Sequence, residues 1–154
     1  MIRKYFILLA LLTLTAAAAD RPNFSGKWTL VPAKSDFGIL PVPERFERTI
    51  VQKADEVKLT TVQGVAEKES RSDVTFVTDG IEHTQMIGTY QVKLTGTWKG
   101  NQLEVISKRV VSGGVPIETT DLWTAAADGK TMTVDSKIHT RNADFNVRMT
   151  LAKQ

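Results

Sequence analysis

Residues 89–111 read Thr89-Tyr90-Gln91-Val92-Lys93-Leu94-Thr95-Gly96-Thr97-Trp98-Lys99-Gly100-Asn101-Gln102-Leu103-Glu104-Val105-Ile106-Ser107-Lys108-Arg109-Val110-Val111. Side chains of a strand alternate between its two faces, so Tyr90, Val92, Leu94, Gly96 and Trp98 share one side and Gln91, Lys93 and Lys99 the other. After Lys99-Gly100-Asn101, a turn in which glycine supplies positive φ, Leu103, Val105, Ser107, Arg109 and Val111 form a second mostly apolar face backed by Glu104 and Lys108. That is one antiparallel hairpin with an inside and an outside.

The same grammar extends in both directions. β-Branched and aromatic residues alternate with polar ones and are punctuated by Gly, Pro, Asn and Asp, which predicts strands near 25–31, 45–53, 56–63, 68–78, 81–87, 89–99, 102–111, 116–124, 131–139 and 144–152. Asp79-Gly80 and Asp128-Gly129-Lys130 suit tight turns, and Ser112-Gly113-Gly114 a looser connection. No stretch after residue 20 carries a 3.6-residue apolar period. Sequential strands with one apolar face suit a closed barrel or a sandwich, and short loops favour the barrel, because closure removes exposed edges. The expected fold is all-β: a single antiparallel up-and-down β-barrel of about 8–10 strands over residues 20–154. Residues 32–43 interrupt the rhythm with three prolines. They read either as a loop covering one end of the barrel or as a rigid crossover.

The first nineteen residues have another character. Arg3 and Lys4 precede an apolar run over residues 5–14, and Ala16 to Ala19 supply the small residues of a cleavage site near Ala19. A signal peptide is expected, hence an exported protein, periplasmic or secreted. The run is about 10 residues where a membrane helix needs about 20, so no span of the mature chain is expected, an uncleaved anchor being the alternative. Cleavage would remove two of the 20 basic residues, leaving 18 against 17 acidic ones, a net charge near +1. With no concentrated basic face, nucleic-acid binding is not expected.

Cysteine is absent and only His83 and His139 are present. That excludes disulfides, thiolate chemistry and a three-histidine metal centre within one chain, so neither a metal nor a cofactor is expected. No Gly-x-Ser-x-Gly elbow occurs, and neither histidine has a partner spaced to bind metal from one element. The chain reads as a non-enzyme.

Polar residues on apolar faces mark the candidate ligand site: Arg109 and Ser107 beside Leu103 and Val105, His83 and Gln85 beside Ile81 and Ile87, Arg48 beside Phe46 and Ile50, and Tyr90 beside Val92. A buried arginine needs a carboxylate, water or ligand, and a hollow barrel would let these residues hold a polar or anionic head group, with Arg109 as the principal cation. A one-residue shift of register would instead turn each of them to solvent.

Asn23-Phe24-Ser25-Gly26-Lys27-Trp28-Thr29-Leu30 resembles the opening strand of the lipocalin and fatty-acid-binding protein (calycin) superfamily, with its Gly-x-Trp. It also resembles a group of small exported bacterial proteins that open Asn-Phe-Ser-Gly-x-Trp, continue as in Pro32-Ala33-Lys34-Ser35-Asp36-Phe37-Gly38 and carry a late Trp-x(5)-Gly-Lys hairpin, here Trp123 to Lys130. The resemblance implies a lipocalin-like barrel closed at one end by Gly26 and Trp28. It also implies a small hydrophobic or amphipathic ligand as partner. The chain departs from the fatty-acid-binding pattern at its last strand, where Val147-Arg148-Met149-Thr150 has no Arg-x-Tyr pair and parity puts Arg148 outside. Two functions are therefore expected in competition: an exported binding module with a hollow interior, or a filled-core domain acting through surface protein–protein contacts. Oligomeric state is left open.

Overall fold

Each of the ten alternating segments forms a strand in the computed structural model, which describes residues 21–154. The expected leader and its cleavage junction lie outside the described residues. The strands are β1 (Gly26–Leu30), β2 (Arg45–Lys53), β3 (Glu56–Val65), β4 (Lys68–Val77), β5 (His83–Ile87), β6 (Tyr90–Lys99), β7 (Gln102–Val111), β8 (Val115–Ala125), β9 (Thr131–Thr140) and β10 (Asp144–Lys153). Every ladder is antiparallel, and the sheet runs β4-β3-β2-β1-β10-β9-β8-β7-β6-β5. The result is the expected all-β barrel, nearly closed, with ten strands.

β5 starts two residues later than its apolar pattern suggests. The Asp79 carboxylate accepts from the Ile81 amide at 2.9 Å and contacts His83 Nε2 at 2.8 Å, holding residues 79–82 in a turn. The β3–β4 turn contains no glycine at its tip, yet Ala66 and Glu67 both take positive φ (49° and 62°), as a tight hairpin requires.

The ladder is interrupted between β4 and β5, and the barrel closes there by overlap instead of pairing. The end of β4 lies across β6 at Gly96, where a Cβ would stand 2.7 Å from the Val77 carbonyl oxygen and 3.0 Å from the Phe76 ring. The Gly80 amide donates to the Gly96 carbonyl at 2.9 Å, and Trp98 Nε1 donates to Thr78 Oγ1 at 3.2 Å. Gln85 Nε2 staples the two edges by donating to the Thr75 carbonyl at 2.6 Å.

Residues 31–44 run as a crossover strapped to β10. They start with a 3-10 turn over Pro32–Lys34, then exchange backbone hydrogen bonds with Arg148 through Asp36 (2.8 and 2.7 Å). Thr150 donates to the Lys34 carbonyl at 2.6 Å. Arg148 itself faces outward and pairs with Asp135.

One end of the barrel is filled by aromatic rings. Trp28, Trp123, Phe24, Leu103, Met132 and Leu151 are fully buried. Phe24 stacks on Trp98 at 6.1 Å and meets Trp123 edge-on at 5.6 Å, and Phe76 meets Trp123 edge-on at 6.1 Å. Trp28 Nε1 donates to the Phe24 carbonyl at 2.9 Å, so its burial leaves no polar atom unpaired. Lys153 Nζ lies 5.4 Å from the Trp28 ring centre, and the bare backbone of Gly26 makes room for its stem. Trp28 sits opposite Lys153 because β1 pairs only with the far end of β10, beyond Val147 and Met149. Trp98 is only partly inside, its ring held between Phe24 and Arg21.

Two substitutions test this account. Trp28→Ala should cost about 3–5 kcal/mol, a large share of the about 5–15 kcal/mol that holds a domain together. Chemical denaturation with an unchanged midpoint would show the ring to be peripheral. Gly96→Ala should destabilise by about 1–3 kcal/mol, since overpacking against backbone has no rotamer to relieve it. A melting temperature equal to wild type would show that β4 does not close over β6 as described.

Candidate functional site

Inward-facing positions change chemistry along the barrel. Towards the aromatic end they are apolar, whereas nearer the other end they become Arg48 on β2, Thr61 and Gln63 on β3, Ser70 and Ser72 on β4, Ser107 on β7, Thr119 and Asp121 on β8 and Ser136 on β9. Together with Leu59, Val74, Ile87, Val92, Leu94 and Val105, these line an interior cavity of about 470 Å³ whose floor is Trp123 and Phe76. That volume lies within the range of small-molecule pockets, about 300–1,000 Å³.

Arg48 is the chemical centre of the cavity. It is 8% exposed, and its Nε donates to Thr61 Oγ1 at 3.3 Å, the residue directly opposite on β3. The guanidinium carbon lies 5.2 Å from the Phe46 ring centre and 5.7 Å from that of Trp123. Nη1 is buried without a hydrogen-bond partner, and so is Nε1 of Trp123. Burial lowers the Arg48 pKa below its ordinary value, with the nearby Asp121 charge opposing the shift. An unmade hydrogen bond on a buried donor costs about 1–3 kcal/mol, more on a charged one.

Asp121 is the counter-charge, though it forms no direct ion pair with Arg48. Its carboxylate accepts from Ser136 Oγ at 2.6 Å, its register partner on β9. Desolvation pushes its pKa up, and the Ser136 hydrogen bond and the Arg48 charge only partly offset this. Asp121 keeps some accessible surface, and that surface faces the cavity.

The other sequence-predicted residues fall in different places. Ser107 lines the wall, and Arg109 reaches the cavity from an exposed position at its rim. Tyr90 is 38% exposed at the start of β6, its hydroxyl 3.5 Å from Ser112 Oγ and outside the lining. His83 is exposed beside Asp79, and Gln85 is occupied at the β4–β5 seam. Gly26 and Trp28 lie at the aromatic end. The structure thus brings Arg48, Ser107 and Arg109 to one cavity and leaves the other three ligand candidates outside its lining.

Asp121, Ser136 and Thr61 were not among the expected site residues, and Trp123 was marked only as the start of the late hairpin. Residues 116–124 alternate poorly, with Thr119, Asp121 and Trp123 facing in and Glu118, Thr120 and Leu122 facing out, so neither face declares itself as core. The available signal was parity with Trp123.

A second hollow of about 430 Å³ lies beside the rim on β6–β9, holding the outward residues Lys93, Lys108, Glu118 and His139. Lys93 and Lys108 pair there with Glu82, and His139 contacts Asp144, so these groups already have partners in solvent. Among the described residues no three of His, Cys, Asp and Glu come together as a metal site, and no helix is long and apolar enough to cross a membrane.

The fold is similar to lipocalin and fatty-acid-binding-protein-like barrels. Solved structures with this fold include a secretory abundant heat soluble protein of Ramazzottius varieornatus, at 18% identity and TM-score 0.60, covering 85% of this chain and 95% of that one. Lipid binding protein 8 of Caenorhabditis elegans, in its apo form, matches at 10% identity and TM-score 0.55 over 85% and 95% of the two chains. Human cRBP IV matches at 17% identity and TM-score 0.54 over 86% and 98%. No model of a known protein family matches the chain, and no curated protein matches it.

Because folding raises the Asp121 pKa above its unfolded value, its contribution to stability is complete below the ordinary aspartate range and is lost as pH rises through the raised folded value. Asp121→Asn should therefore melt higher than wild type at pH 8 and converge with it at pH 4. Parallel melting curves at both pH values would show that Asp121 is solvated.

Proposed function

We propose that this chain is an exported, non-enzymatic binding module that holds a small apolar or amphipathic molecule inside its barrel. One observation carries the reading: Arg48, whose Nη1 is buried and unpaired, lines a cavity of about 470 Å³ together with Trp123, whose Nε1 is also unpaired. A protein seeking only stability would fill this position with an apolar side chain, since replacing buried charge by well-packed hydrophobic residues is often neutral or stabilising. Retaining it makes sense where a ligand supplies the missing acceptor. Leu59, Val74, Ile87, Val92 and Leu94 would cover the apolar part of the ligand, Ser107 would contribute to the wall, and Arg109 at the rim would draw in anionic molecules.

The kinship in fold with a protein named for lipid binding supports the class of ligand, and the residue 1–19 pattern supports export to the periplasm or the medium. The Asn23–Trp28 opening supports membership in the group of small exported bacterial proteins described above. The cavity argues against the rival reading of a filled core that acts only through its surface.

Extraction of the natively purified protein under denaturing conditions, followed by mass spectrometry, should release a small molecule near one per chain. Arg48→Met should then keep or raise the melting temperature while weakening a fluorescent fatty acid by tenfold or more, about 1.4 kcal/mol. Full binding by a well-folded Arg48→Met variant would remove Arg48 from the site.

A further inference from the structure

The charge count inside the cavity restricts what its ligand can be; this rests on the cavity being the binding site. Four charged residues line the cavity: Arg48 is buried, Asp121 is half-buried, and Arg71 and Arg109 are exposed. Ser136 occupies one Asp121 oxygen, and among the described residues no group hydrogen-bonds the other. The remaining neighbours bring no further charge to the interior: β3 offers Thr61 and Gln63, β9 offers Ser136, β5 and β6 offer Ile87, Val92 and Leu94, and on β8 itself Glu118 faces outward. Arg109 on β7 and Arg71 on β4 line the cavity only from exposed positions, Arg71 being paired with Asp73 at 3.0 Å.

A ligand head drawn to Arg48 Nη1 and Trp123 Nε1 must offer acceptors, because both are donors only. The open Asp121 oxygen asks for the opposite, a donor. If the head is a carboxylate, it and Asp121 place two negative groups beside the one buried guanidinium, and like charges so placed oppose each other's ionisation. We propose that Asp121 sets the ligand class: the cavity takes a head group that accepts from Arg48 while presenting a proton towards Asp121. A hydroxyl or primary amide does this unaided. A carboxylic acid does it only by entering with one proton from solvent, shared between its own carboxyl and that of Asp121. Binding of an acid is therefore coupled to proton uptake, and binding of the matching alcohol is not.

Titration calorimetry of the purified protein with decanoate and with 1-decanol, from pH 5 to 9 in two buffers of different ionisation enthalpy, reads this coupling without any mutation. Decanoate should take up about one proton per ligand and lose about tenfold in affinity per pH unit above the Asp121 pKa of the empty protein. Decanol should take up none and bind equally across the range. Asp121→Asn should bind decanoate with no proton uptake above the ligand's own titration, and more tightly than wild type at pH 8. Decanoate binding that is independent of pH, or a slope that survives in Asp121→Asn, would overturn the assignment while leaving the cavity as the ligand site. Failure of both decanoate and decanol to bind would bring down the cavity reading and this inference with it.

Discussion

Ten strands enclose more space than ten inward-facing rows of ordinary side chains can fill, and the way this barrel handles the excess governs the rest of it. At one end the surplus is taken up by the largest side chains available. Trp28, Trp123, Phe24 and Phe76 interlock there, with the Trp28 indole satisfied by the Phe24 carbonyl and its face covered by Lys153. At the other end the inward rows shrink to serine and threonine, and the space stays open. The cavity is thus the complement of the aromatic plug, and Trp123 belongs to both, as part of the core and as the floor of the site.

Closure has its own requirement. A sheet whose terminal strands never pair must present either two free edges or a substitute contact. Here β4 is laid over β6 where Gly96 has no side chain, and the Gln85 amide and the Trp98 indole complete the seam. This explains why two residues with the polarity and parity of ligand contacts are used otherwise. Gln85 is taken by the seam and His83 by the turn that delivers the chain to β5. The long connection after β1 is likewise consumed, strapped to β10 through Asp36 and Thr150, and none of its residues lines the cavity.

Within the hollow half, Arg48 and Asp121 balance each other without touching. A direct ion pair would satisfy both and close the site to anything else. Separation leaves the Arg48 Nη1 unpartnered, and burial shifts both groups towards their neutral forms, a costly arrangement for a fold and a useful one for recognition. The outer rim charges sit in solvent, where their pairing is worth little and their field still reaches an approaching anion.

Much of the architecture could be read from residue order alone. Alternation at period two, with glycine and aspartate at the turns, located all ten strands, because face and turn preferences act over two to four residues and leave a local trace. The buried Trp28 and the outward Lys27, Lys93 and Arg148 follow from the same parity. Parity also put Arg48, Ser107 and Arg109 on inward faces. What it could not supply is depth: inward residues at the rim and at the centre of a strand look alike in sequence, so parity favoured Arg109 as the principal cation, whereas the register sets Arg109 in solvent and buries Arg48 beside Thr61 and Trp123. Asp121 escaped for a related reason, since β8 carries no clean apolar face and its meeting with Ser136 of β9 depends on pairing between two strands. Strand identity is a local property of the chain. Volume, burial and the company of charges arise only when ten strands close on one another, and those decided where the site lies.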